Sequence, residues 1–155
     1  MRNKDIKGFT LIEILLVIGI IAVLATVVIV ALDPVTRFAD ARNSRRLSDI
    51  QNILTAVQQY IVDNQGSLPS GLDTTQKQIG TAGSGCALTA NDCSVSTGSC
   101  LDLSTALARY LKSLPYDPEN GSAATTRYSI VVDSNNIVTV RACDSTDATI
   151  DAVSS

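Results

Sequence analysis

Glu13 is the one charged side chain between Phe9 and Leu32, in a run otherwise dominated by Ile, Val, Leu and Ala. A carboxylate in a segment suited to lipid is costly unless it pairs or reaches the interface, which marks it as a functional residue. No basic residue in the run supplies a partner. The second reactive set is Cys86, Cys93, Cys100 and Cys143. In an exported domain an even number of cysteines reads as two disulfides, with three connectivities open. A bridge from Cys93 or Cys100 to Cys143 would tie the middle of the chain to its last strand and contribute about 2–4 kcal/mol. Zinc competes as a reading, but there is no Cys-x-x-Cys pair and no histidine to help. In a reducing habitat the four would remain thiols. Enzymatic chemistry finds little footing. There is no imidazole base and no nucleophile in a recognisable setting. The glycine cluster Gly80, Gly83 and Gly85 lacks the Lys-Ser/Thr of a phosphate-binding loop.

Residues 14–32 form an uncharged run of 19 residues, long enough to span a bilayer as a helix. The β-branched composition would favour strands in water, but a lone segment in lipid must satisfy its own backbone and so becomes helical. Arg2, Lys4 and Lys7 precede it against a single Asp5. Positive flanks stay in the cytoplasm, so the expected topology is a single pass with the rest of the chain outside. The N-terminus admits three fates: an uncut anchor, a secretory signal cut after a small residue such as Ala31, or a leader cut before the apolar run. The run is too long for the apolar core of an ordinary signal peptide.

Asp33-Pro34 ends the apolar run, because proline removes a donor and disfavours helix at the residue before it. Residues 35–62 then read as an amphipathic helix, with Leu47, Ile50, Leu54, Val57 and Ile61 on one face. Arg42, Arg45 and Arg46 read as a solvated face or as partners of acidic neighbours in a filament. Gly66 to Gly71 stops the helix. Residues 71–100, rich in Gly, Ser, Thr and Asn, are expected to be loop. In 101–114, Leu103, Leu107, Tyr110, Leu111 and Leu114 share a face, which predicts a short helix ended by Pro115. Residues 127–132 and 137–142 alternate around Asp133-Ser134-Asn135-Asn136 and predict a β-hairpin. Residues 144–155 read as a polar tail. The expected fold class is α+β: a long N-terminal helix, half transmembrane and half amphipathic, packed on a small antiparallel sheet.

The stretch Gly8-Phe9-Thr10-Leu11-Ile12-Glu13, placed between the basic flank and the apolar run, resembles the class III signal of type IV pilins and type II secretion pseudopilins. Ala41-Arg42-Asn43 through Tyr60 to Asn64-Gln65-Gly66 and Pro69 is similar to the outer half of the pilin helix. Leu114-Pro115-Tyr116-Asp117-Pro118, with Gly121 and Tyr128, resembles the turn before the sheet in G-type major pseudopilins, with Glu119 where that family carries an aromatic. The resemblance covers roughly the first 70 residues and this turn.

It implies a leader of residues 1–8, cut by a prepilin peptidase between Gly8 and Phe9, with methylation of the new Phe9 amine. It implies that Glu13 pairs with that amine on another copy. The mature chain would comprise a transmembrane and filament-core helix (9–32), its amphipathic extension (33–65) and an exported head (66–155). Partners would be the peptidase, other copies and minor pilins, and an inner-membrane assembly platform. The implied product is a structural subunit of a type IV pilus-like filament; the alternatives are a major pseudopilin of a type II secretion system and an anchored binding module that never polymerises. G-type pseudopilins also carry a calcium ion, for which Asp144, Ser145 and Asp147 are the candidate ligands; a solvated acidic tail is the other reading of these residues. No other cofactor is implied. The full chain carries a net charge of −3; without residues 1–8, nine basic face 14 acidic side chains, a net −5. That balance gives no support for nucleic-acid binding.

Overall fold

The computed structural model describes residues 8–91, 93–145 and 150–153. They fall into two compact units divided after Phe38. Helix α1 covers Leu11–Leu32 and buries none of its residues. It is long and apolar enough to cross a bilayer, at about 1.5 Å per residue over 22 residues. Asp33 ends it in a left-handed conformation, φ 37°. The helical conformation is disfavoured before a proline, and Pro34 then opens helix α2 where its missing N–H costs nothing. The Asp33 carboxylate accepts from the Thr36 hydroxyl at 2.6 Å.

Helix α2 runs Pro34–Asp63 and buries Arg46, Ile50, Ile53, Leu54, Ala56 and Val57. These positions recur at helical spacing, so one stripe of α2 enters the core. The other wall is a four-stranded antiparallel sheet, order β1-β4-β5-β6, built from Lys77–Gln78, Tyr128–Val132, Val138–Ala142 and Ile150–Val153. Strands β4 and β5 form the hairpin expected from their alternation, in register Tyr128↔Ala142 to Val132↔Val138. Asp133 Oδ1 closes the turn by accepting from Asn135 N at 2.7 Å and Ile137 N at 2.8 Å. Ile130, Val132, Val138 and Val140 meet Ile50, Ile53 and Val57 in one apolar cluster, which Leu103 and Leu107 complete.

Three segments differ from the sequence-based expectation. The region 71–100 holds β1 and a separate hairpin, β2 (Leu88–Ala90) with β3 (Cys93–Val95). Strands of two or three residues leave no periodicity to read. Residues 101–114 are not a regular helix: Leu101 spends both backbone groups on the sheet, through Gln78 O at 2.8 Å and Gly80 N at 3.1 Å. Asp102 Oδ1 then takes the N–H of Ser104, and mixed bonds such as Leu107 to Leu103 and Tyr110 to Leu107 give a run of turns. Leu103 and Leu107 still share a buried face. The expected tail supplies β6, paired with β5 from Thr139↔Val153 to Ala142↔Ile150.

Candidate functional site

The N-terminal segment is built by helix-capping chemistry. Thr10 is the N-cap of α1 and its hydroxyl accepts from Glu13 N at 3.3 Å. Glu13 Oε2 accepts in return from Thr10 N and from Thr10 Oγ1, both at 2.8 Å. This reciprocal box satisfies orphan donors of the first turn and places negative charge at the positive end of the helix dipole. The partner missing from the sequence reading is therefore local in the single chain. Its signal was legible as Thr-x-x-Glu at 10–13. Phe9 is 84% exposed, and nothing lies within 4 Å of where a Cβ on Gly8 would stand. The cleavage-site candidates Gly8 and Phe9 and the assembly candidate Glu13 thus sit together on an open helix start.

The head carries two disulfides, Cys86–Cys100 and Cys93–Cys143. The first closes 14 residues of the middle segment; the second joins β3 to the end of β5 across 50 positions. The Cys93 and Cys143 side chains are buried with Leu88 and Val95 in a small second cluster.

Arg46 was not resolved by sequence reasoning. It is fully buried, and its Nε and Nη2 donate to Asp117 at 2.5 and 3.2 Å. Its position four residues before Ile50 puts it on the apolar stripe, which was the available signal. Asp117 also accepts the N–H groups of Glu119 and Asn120 at 2.9 and 3.0 Å. Burial pushes the Asp117 carboxyl up, but the Arg46 guanidinium and these N–H groups outweigh it and hold the group below the usual carboxylate range. Arg42 lies 3.4 Å from Glu119, and Arg45 lies 3.8 Å from Asp49. Asp49 accepts from the buried Tyr128 hydroxyl at 2.9 Å; burial raises the Asp49 pKa against that bond. The three arginines thus find acidic partners within the chain.

Of the candidate calcium ligands, Asp144 and Ser145 are among the described residues, and both have partners within the chain. Asp144 is gripped by Arg127, Nε to Oδ2 at 2.8 Å and Nη2 to Oδ1 at 2.7 Å. Ser145 is buried beside Asn91, whose Nδ2 donates to the Ser145 carbonyl at 2.9 Å. Asp147 lies outside the described residues. Calcium takes six to eight oxygen ligands, and the Asp144 oxygens already serve a guanidinium. Among the described residues no group of three His, Cys, Asp or Glu is placed to hold a metal.

No curated protein and no solved structure matches this chain. Residues 3–29 match the family model of the prokaryotic N-terminal methylation motif, which contains Gly8, Phe9 and Glu13. That match, with an exposed apolar helix and a small antiparallel sheet in one α+β chain, supports a type IV pilin-like protein.

Proposed function

We propose that the chain is a structural subunit of a type IV pilus-like filament, cut after Gly8, methylated at Phe9 and assembled through α1. It is held first in the inner membrane, N-terminus in the cytoplasm and head outside. One observation carries this reading: α1 has no buried residue and a single carboxylate at its start, inside the matched motif. Such a helix needs lipid or other copies around it. Moving from lipid into a bundle of like helices gains little transfer energy, because lipid is already apolar; the gain is close packing and polar pairing. The Phe9 amine exposed by cleavage is the cation that Glu13 of another copy would take, in exchange for part of its bonding to Thr10. The work of cutting and extraction falls to other proteins, so the chain is read as structural and not enzymatic.

A second reading, a pseudopilin of a type II secretion system, is favoured by the Leu114-Pro115-Tyr116-Asp117-Pro118 turn. Intact mass measurement on membrane-extracted protein, with immunogold microscopy of native cells, tests both. A chain beginning at methylated Phe9 with decorated surface fibres supports the pilus. The same chain with label confined to the envelope supports the secretion filament. An uncut chain would overturn the processing on which both readings rest.

A further inference from the structure

We propose that the head locks Cys143 and Asp144, which follow β5, with two internal guanidinium groups in the role of a divalent cation, so that its fold is independent of calcium. A chain of hydrogen bonds joins α2 to the residues after β5 through two ion pairs linked by the neutral Asn120. Arg46 on α2 forks onto Asp117. Asp117 Oδ1 accepts from Asn120 N at 3.0 Å, and Asn120 Nδ2 donates to Asp144 Oδ2 at 3.2 Å. Arg127 closes the chain with its fork onto Asp144. Asp144 follows Cys143, whose N–H bonds the Arg127 carbonyl at 3.1 Å. Asn120 is therefore the link between two ion pairs.

Both oxygens of Asp117 and both of Asp144 are occupied by N–H donors. A guanidinium is charged at every physiological pH and matches a carboxylate with two parallel bonds. Calcium at Asp144 would compete with this fork for the carboxylate oxygens. Two backbone features fit this arrangement. Arg127 stands at φ 65°, a left-handed conformation that a non-glycine residue keeps only when its surroundings fix it. Gly121 lets the loop close on itself: a Cβ there would lie 2.4 Å from Asp117 N. The inference concerns the head alone and stands whether or not the chain forms a filament.

The test is thermal unfolding of the full chain in detergent micelles, followed by near-ultraviolet circular dichroism of its tyrosines, Tyr60, Tyr110, Tyr116 and Tyr128, all in the second unit. Equal midpoints in EGTA and in excess calcium chloride are expected. Calcium at a hundred times its dissociation constant would raise the midpoint by about 5–10 °C, and a rise of that size would overturn the proposal. Arg127→Gln is expected to lower the midpoint by about 4–8 °C, with little further loss when Asp144→Asn is added. Additive losses from the two substitutions would also overturn it. If Arg127→Gln fails to fold, the wild-type comparison decides alone.

Discussion

Helix α1 buries no residue within the chain, whereas residues 39–155 enclose an apolar core, two disulfides and a fully buried arginine. The head carries its own stabilising contacts. On the proposed filament reading, the helix would take its long-range contacts from its surroundings, lipid before assembly and other copies after. The proposed transfer out of the membrane would then leave the head unremodelled, because the contacts exchanged would be those of α1. The same division separates the charges. Among the described residues, Glu13 is bonded by Thr10 in the first turn of its own helix. Arg46 and Asp117 are paired with their side chains fully buried.

The comparison breaks most sharply if a head substitution leaves the head intact. Arg46→Ala strands the Asp117 carboxylate in the interior and is expected to cost about 3–5 kcal/mol. Urea unfolding followed by tyrosine fluorescence measures it, and α1 should stay helical in micelles throughout. Next come the disulfides. The chain-entropy estimate gives about 4 kcal/mol for a bridge across 50 residues and about 3 kcal/mol across 14, so Cys93→Ser with Cys143→Ser should exceed Cys86→Ser with Cys100→Ser. Equal losses would mean that the β3–β5 link adds nothing beyond the local one.

Acid sharpens the contrast further. The carboxyls of Asp117, Asp73 and Asp133 are depressed, the first by donors that outweigh its burial, the second chiefly by Lys77 and the third chiefly by the Ile137 N–H. A depressed acid contributes stability above its unfolded value, and that contribution is lost as pH falls through the folded value. Asp49 has the opposite sign, since burial raises it and folding favours its protonated form. The head should therefore weaken below about pH 4, the ordinary aspartate range. Asp49→Asn should remove an offsetting gain that comes just above that range, so that the total loss from neutral to acid pH is larger when midpoints are compared across pH. Smallest of all is Thr10→Ala, which removes the N-cap and should cost about 1 kcal/mol, seen as faster amide exchange in the first turn of α1.

Where burial alone decides, the sequence was a good guide. The apolar run follows from composition, and the stripe from Ile50 to Val57 and the 127–142 hairpin follow from periodicity, whereas Leu47 is exposed. What escaped were choices made by tertiary partners. Arg46 looks like one of three surface arginines until Asp117, 71 residues away, meets it. Leu101 belongs to a helical pattern by spacing, yet the edge provided by Gln78 and Gly80 holds it extended. Ile150–Val153 becomes a strand because β5 leaves an edge for it. The Glu13 box with Thr10 is readable in the sequence as Thr-x-x-Glu at 10–13.

The most direct measurement of the filament reading is electron microscopy of head-labelled material from cells making the wild-type chain or Glu13→Ala, with the N-terminus of each read by mass spectrometry. The expected result is labelled filaments from the wild type and none from Glu13→Ala, both chains beginning at Phe9. Filaments in equal number from a correctly processed Glu13→Ala chain would contradict assembly through that carboxylate.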